Sequence, residues 1–336
     1  MAGGTIADFK IYDAEFQGGF WEGVQQQIDV FNAASNGAIV LENFDHQGNY
    51  VKEAFDQLVD QMRIRTLSSV ADVSDVKISQ GEDVGVKVNW ALGPVAMTRD
   101  AYMKSGRDPQ EFSFTLGQQL GQLEPQFQLN AGIAALYGAV VVSGAAATAA
   151  VYDQSGLSGA AGLPTYQGLV KATAKLGDKL NSIAAWLMDG STYAALMGDA
   201  LTNYVVDSVA GAAIASGNVA TLGKPTIITD SSYLKIDAAS IGSDRSLIYG
   251  LVPGAVRVRI SEAPTALTAP VLGKQNIMYR FQSEGAFTVN VRGCAWSTAA
   301  GKNPALSTLA ADNWTLIASS IKGGPGCVAK TLATFN

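Results

Sequence analysis

Histidine occurs once and cysteine twice among the 336 residues. A single His46 excludes a histidine-rich metal site and any mechanism that needs two imidazoles. Cys294 and Cys327 form no Cys-x-x-Cys pair, so neither zinc binding nor thioredoxin-like redox chemistry is indicated, and two cysteines in so large a chain read as reduced thiols. Charge is scarce as well. Asp, Glu, Lys and Arg make up 15% of the chain, against about 25% in an average soluble domain. The balance is −6, which argues against a protein that grips nucleic acid through phosphate contacts. Three Gly-Lys pairs continue to Pro225, Gln275 and Asn303, so there is no phosphate-cradling Gly-x-x-x-x-Gly-Lys-Ser/Thr loop. A Gly-x-Ser-x-Gly nucleophile elbow is also missing. Met1 to Thr5 carry no basic and apolar run of a secretory signal, which makes Asn313-Trp314-Thr315 a chance match to a glycosylation acceptor. No catalytic residue, cofactor or metal ligand is expected.

Apolar residues, in contrast, make up 48% of the chain, and glycine occurs 36 times. Such a chain builds a sizeable core, and its thinly charged exterior suits a surface covered by other copies of itself, because large permanent interfaces are depleted in charge. Glu124 to Asp153 encloses no charged residue. Its apolar content is mostly alanine and glycine, and it lacks flanking Lys/Arg anchors, so a packed small-residue helix and loop fit it better than a membrane span.

Along the chain, Phe20, Val24, Ile28 and Phe31 fall at helical spacing and Asn36-Gly37 is a stop. Val76 to Trp90 alternates apolar and polar residues on both sides of Gln80-Gly81-Glu82-Asp83, which predicts a β-hairpin. Asp108-Pro109-Gln110-Glu111 is a capped helix start. Phe112, Leu116, Leu120, Leu123 and Phe127 then continue one apolar stripe, with Gly117 and Gly121 baring the adjacent face. Pro125 is expected to kink this helix, which resumes to about Val142. Residues 143–163 read as loop. A second helix is expected from Thr165 to about Leu180, with Tyr166, Leu169, Val170, Thr173 and Leu180 inward. Ile183 to Met188 reads as a buried strand, followed by a helix capped by Ser191 or Thr192. Gly223 to Asp230 reads as a turn feeding a strand, and strands are expected at Ser246–Leu251, at Asn276–Gln282 paired with Ala286–Gly293 across Ser283-Glu284-Gly285, and twice between Trp314 and Thr331. The class is α+β, helices early and strands late.

In their order these segments resemble the major capsid proteins of tailed bacteriophages, a fold also used by encapsulin compartments. The marks are Val76–Trp90 leading into Gly93-Pro94-Val95, the helix start at Asp108 to Phe114, the run Ile183–Leu196, and Gly223-Lys224-Pro225-Thr226-Ile227-Ile228-Thr229-Asp230-Ser231. The resemblance implies an N-arm at 1–40, a connection at 41–72 and an E-loop hairpin at 73–98. It further implies a peripheral domain with a long spine helix at 99–184, an axial domain at 185–272, and a return to the peripheral sheet at 273–336. It implies a structural protein that forms hexamers and pentamers of an icosahedral shell, enclosing packaged double-stranded DNA without sequence-specific contacts. A separate scaffolding protein and a portal at one vertex would be partners, no membrane would be involved, and assembly would take place in the host bacterial cytoplasm. The alternatives are an encapsulin-like compartment shell and an enzyme with an unrecognised site. Residues expected to meet neighbouring copies are Phe20, Val24, Ile28, Val84, Val86, Val88 and Trp90. Gly117, Gly121 and Pro125 are expected to hinge the spine helix between a precursor shell and an expanded one. A crosslink from Lys77 or Lys87 to Asn303 or Asn313 is not indicated by any motif.

Overall fold

The structure is a computed structural model, which describes residues 31–56 (34 excepted), 67–68, 72, 80–98, 109–203 (158 excepted), 222–236 and 244–333 (274, 277 and 319 excepted). Two sheets and one long helix organise it. The first sheet contains β1 (Ile39–Asn43), β2 (Tyr50–Asp56), β3 (Gln80–Thr98), β9 (Val256–Val271), β10 (Met278–Val291), β11 (Cys294–Trp296) and β12 (Trp314–Leu316). Its centre is β10, antiparallel to β9 on one side and to β3 on the other, with β11 following β3 along the same side. β1 closes the far side parallel to β9, with Ile39 opposite Val256. The turn that delivers β1 is the stop at Asn36-Gly37: both residues adopt positive φ, 51° and 68°, the left-handed conformation that ends helices. Gly37 then accepts from the Gly254 amide at 2.7 Å.

One face of this sheet is apolar. Ile39, Leu41, Val256, Val258, Phe287, Val289 and Val291 are buried at alternate positions, the period-two pattern of a half-covered strand. The cover is helix α1 (Pro109–Leu136), which runs without interruption through Pro125 and ends in a π-helical turn, Tyr137–Val142. Phe127 meets Phe287 edge-on at 5.8 Å between ring centres. At Gly138 the backbone approaches the short helix Leu306–Leu309 so closely that a Cβ would run into the Leu309 carbonyl oxygen.

The second sheet is ordered β4 (Val151–Asp153), β13 (Gly326–Leu332), β8 (Arg245–Leu251), β5 (Ala185–Met188), β6 (Thr226–Ile228), with β7 (Lys235–Ile236) beside β8. Its central strands are covered on both faces, so β5 reads as an unbroken buried run. Leu187, Tyr249, Leu251 and Val328 join the core beneath the first sheet. Trp186, Met188, Ile248 and Cys327 face the opposite way, onto the helices Tyr166–Ala174 and Gly190–Asn203, which supply Leu169 and Leu196.

Several expectations are corrected. Gln80–Asp83 is not a turn: it is the first part of a continuous β3, paired residue by residue with Asp56 to Glu53 of β2. Ser283-Glu284-Gly285 is likewise inside β10, where a register shift absorbs the irregularity. Gly285 serves packing there, because the Trp90 ring lies across it and a Cβ would sit 3.0 Å from the ring. Residues 143–163 include a helix, Gly144–Ala150, and β4. The helix after Thr165 ends at Ala174, and Val170 and Leu180 are exposed. The cap of the helix after β5 is Asp189, which accepts from the Thr192 amide at 3.1 Å and from both hydroxyls, Ser191 and Thr192. Burial pushes the Asp189 carboxyl up, but those bonds and Lys235 at 3.0 Å outweigh it and hold it below the usual range. The strands β9 and β10 on either side of residue 272 are paired, and the final strand β13 lies in the second sheet.

Candidate functional site

The chemistry-bearing side chains are built into the scaffold. His46 Nε2 lies 3.1 Å from the Tyr50 carbonyl oxygen, and its ring stacks on Phe44. Cys294 and Cys327 are free, buried and on different sheets, and burial pushes both thiols up to about 12, so neither is a thiolate nucleophile near neutrality. Among the described residues no group of His, Cys, Asp or Glu could hold a metal ion, and no helix is long and apolar enough to cross a membrane.

The polar face of the first sheet carries an ion network. Arg259, nearly buried, donates to Glu42 at 2.6 Å and to Glu53 at 3.0 Å, while the Phe44 ring lies 4.9 Å from its guanidinium carbon. The buried ammonium of Lys87 binds Glu262 at 2.8 Å and the His46 carbonyl at 2.7 Å. Asp83 is pushed up to about 6 by burial and by the Glu53 charge, against the pull of Arg257 and Arg259. The ion pairs of Arg259 and Lys87 bind one strand to the next. Lys87 is thereby unavailable for a crosslink. Asn303 accepts from the Asn89 amide and Asn313 donates to the Thr308 carbonyl.

Of the residues expected to meet neighbouring copies, Val84, Val86 and Val88 are 5%, 0% and 4% exposed. They are core residues of this chain, Val86 and Val88 opposite Val289 and Phe287 of β10 and Val84 opposite Lys52 of β2, and that expectation is corrected. The reason is position: the alternation that looked like a free ribbon belongs to a strand held between β2 and β10. Phe20, Val24 and Ile28 lie outside the described residues, as does Lys77. Trp90 is half-buried, and its indole N–H has no acceptor among the described residues. Gly117, Gly121 and Pro125 are all buried within α1.

What the structure does leave open is apolar surface elsewhere. Leu267 and Leu272, at the outer end of β9, are 66% and 76% exposed, and Leu123, Phe127 and Ile228 are exposed on other elements. Between α1, β3 and the loop after β6 lies a groove of about 920 Å³, lined by Trp90, Leu123, Glu124, Phe127 and Asp230 among others. Glu124 is buried there; Gln128 donates to one of its oxygens at 2.9 Å, and the other has no partner among the described residues. Burial pushes its carboxyl up to about 7.

The comparisons with known proteins agree with this architecture. The model of a protein family described as "Major capsid protein 13-like" matches residues 8–328. No curated protein matches. Among solved structures, the capsid asymmetric unit of cyanophage Pam1 has a TM-score of 0.52 at 10% identity, covering 87% of this chain and 87% of that one. The capsid of cyanophage P-SCSP1u has a TM-score of 0.50 at 12% identity, covering 89% and 87%. At such identities the likeness is one of fold.

Proposed function

This chain belongs to the major capsid protein 13-like family, and from that premise we propose that its copies associate as hexamers and pentamers of an icosahedral shell around packaged double-stranded DNA. It is a bacteriophage major capsid protein, a structural component of the virion capsid with the tailed-phage capsid fold. The function is association and not catalysis, which is in keeping with ionisable groups spent on joining strands. A separate scaffolding protein shapes the shell, a portal occupies one vertex, and assembly takes place in the host bacterial cytoplasm. The DNA is held without sequence-specific contacts, as befits a chain of net charge −6.

The observation that carries this reading is the family match over 8–328 on a fold that leaves large apolar side chains uncovered. Apolar area at about 25 cal/mol per Å² becomes strong only when summed over many contacts. The part of the expected N-arm at 1–40 that precedes Phe31 and the part of the E-loop before Gln80 reach neighbouring copies in this proposal, joined by the outer ends of β3, β9 and β10, whereas Ala38 and Ile39 belong to this chain's own core. Gly117, Gly121 and Pro125 let α1 bend between precursor and expanded shells. The encapsulin alternative has no support from the family.

The test is electron microscopy and sedimentation of the purified full chain, expressed with and without a scaffolding protein. Capsomers or closed shells are the expected result. A stable 35.0 kDa monomer under every condition overturns the proposal.

A further inference from the structure

Glu124 is an expensive residue for a lone subunit. Its side chain is 5% exposed, one carboxylate oxygen has no hydrogen-bond donor among the described residues, and no Lys, Arg or His is among the residues that line its groove. From β3 the groove receives Trp90, Ala91 and Leu92, and from the loop after β6 it receives Asp230, Ser231 and Ser232. Asp230 is the only other titratable group among these lining residues. A buried charge without a partner costs several kcal/mol, whereas glutamine would keep the bond from Gln128 without that cost. The groove therefore has the polarity of half an ion pair.

Its walls give the shape of the other half. Leu123 and Phe127 flank Glu124 on the same helix and remain exposed, at 49% and 37%. An apolar wall leading to a buried carboxylate complements an aliphatic stem that ends in a cation. The same chain supplies such side chains: Lys175, Arg280 and Lys302 are exposed and form no salt bridge among the described residues. We propose that this groove is a socket for a lysine or arginine side chain from a second copy of the chain, whose charge is completed by Glu124. The inference rests on the shell reading and names one of the contacts that would build it.

Pairing stabilises the charged carboxylate, so the socket couples association to pH. The free carboxyl lies at about 7 and the paired one lies lower. Association therefore strengthens as pH rises towards 7 and levels off above it. Glu124→Gln in the full-length chain retains the Gln128 bond and removes the charge. Above pH 7 it should need about tenfold more protein for half-assembly, the loss of one charge-assisted contact, and should converge on the wild type at acid pH. A cryo-electron microscopy map of wild-type shells provides the second measurement, independent of how the variant folds. It should place an ammonium or guanidinium of an adjoining copy against Glu124. The proposal is overturned if Glu124 meets its own chain, an unrelated protein, a solvent cation or nothing, or if E124Q assembles with wild-type affinity and pH profile. Wild-type shells with an empty groove reject the socket alone. A wild type that never assembles rejects the shell reading with it.

Discussion

No strand of the six-stranded sheet exceeds seven residues, and its central strands β13, β8 and β5 are covered on both faces. The seven-stranded sheet contains strands of 19, 16 and 14 residues. At about 3.3 Å per residue, seven residues span roughly 23 Å, close to the width of one core, whereas 14 or more extend well beyond it. Among the described residues nothing covers the surplus at the outer end of β9. Burial along β9 stops at Ser261, and Thr265, Leu267, Ala269 and Leu272 beyond it are exposed. In the same stretch β1 no longer covers the outer edge of β9, and Pro264 and Pro270 remove backbone donors there, which discourages indiscriminate strand pairing. One sheet thus buries its central strands on both faces, while the other holds its chain together at one end and exposes apolar side chains at the other.

That contrast can be broken in graded steps, each read by urea denaturation of dissociated subunits unless stated. Trp186→Ala empties the fully buried centre of the second sheet and should cost about 4 kcal/mol, as for other large aromatic deletions. An effect below about 1 kcal/mol would mean that this sheet is not a closed core. Val86→Ala removes buried carbon from the inner half of β3 and should cost about 2 kcal/mol of subunit stability. A variant that retained its stability but lost assembly would restore the view that this stretch meets a neighbour. Asp83→Asn probes the polar face between them. A carboxyl raised from 3.8 to about 6 contributes stability at low pH that is lost as pH rises through 6. The amide should therefore stabilise the subunit modestly at neutral pH and flatten its profile between about pH 4 and 6. Leu272→Ser at the exposed end should change subunit stability by less than about 0.5 kcal/mol, while weakening shell formation measured by light scattering. Equal assembly would show that the outer ribbon is not a contact.

Legibility followed how local the cause was. The spine helix was readable because its apolar stripe from Phe112 to Phe127 and the start at Pro109 act within a few residues. Thr165 could be placed at a helix start for the same reason, and its hydroxyl accepts from the Gly168 amide. The strand at Ala185–Met188 was evident from an unbroken apolar run. The misread turns at Gln80–Asp83 and Ser283–Gly285 share one cause. Glycine and acidic residues in sequence signal a turn, but in the folded sheet Gly285 makes room for Trp90, and Asp83 lies opposite Glu53 near the Arg259 network. Neither partner is a sequence neighbour. Glu124 was read only as one boundary of an uncharged stretch; its burial needs β3 and the loop after β6, more than 30 residues away on one side and about 100 on the other.

Composition and local pattern determined by themselves the α+β class, the long helix, most strand positions and the absence of recognisable catalytic motifs, because propensity, caps and periodicity act over a few residues. Only the tertiary structure decided which alternating strand lies inside and which apolar ends lie outside. A strand's alternation states that one of its faces is covered; what covers it is set by residues that arrive from distant parts of the chain.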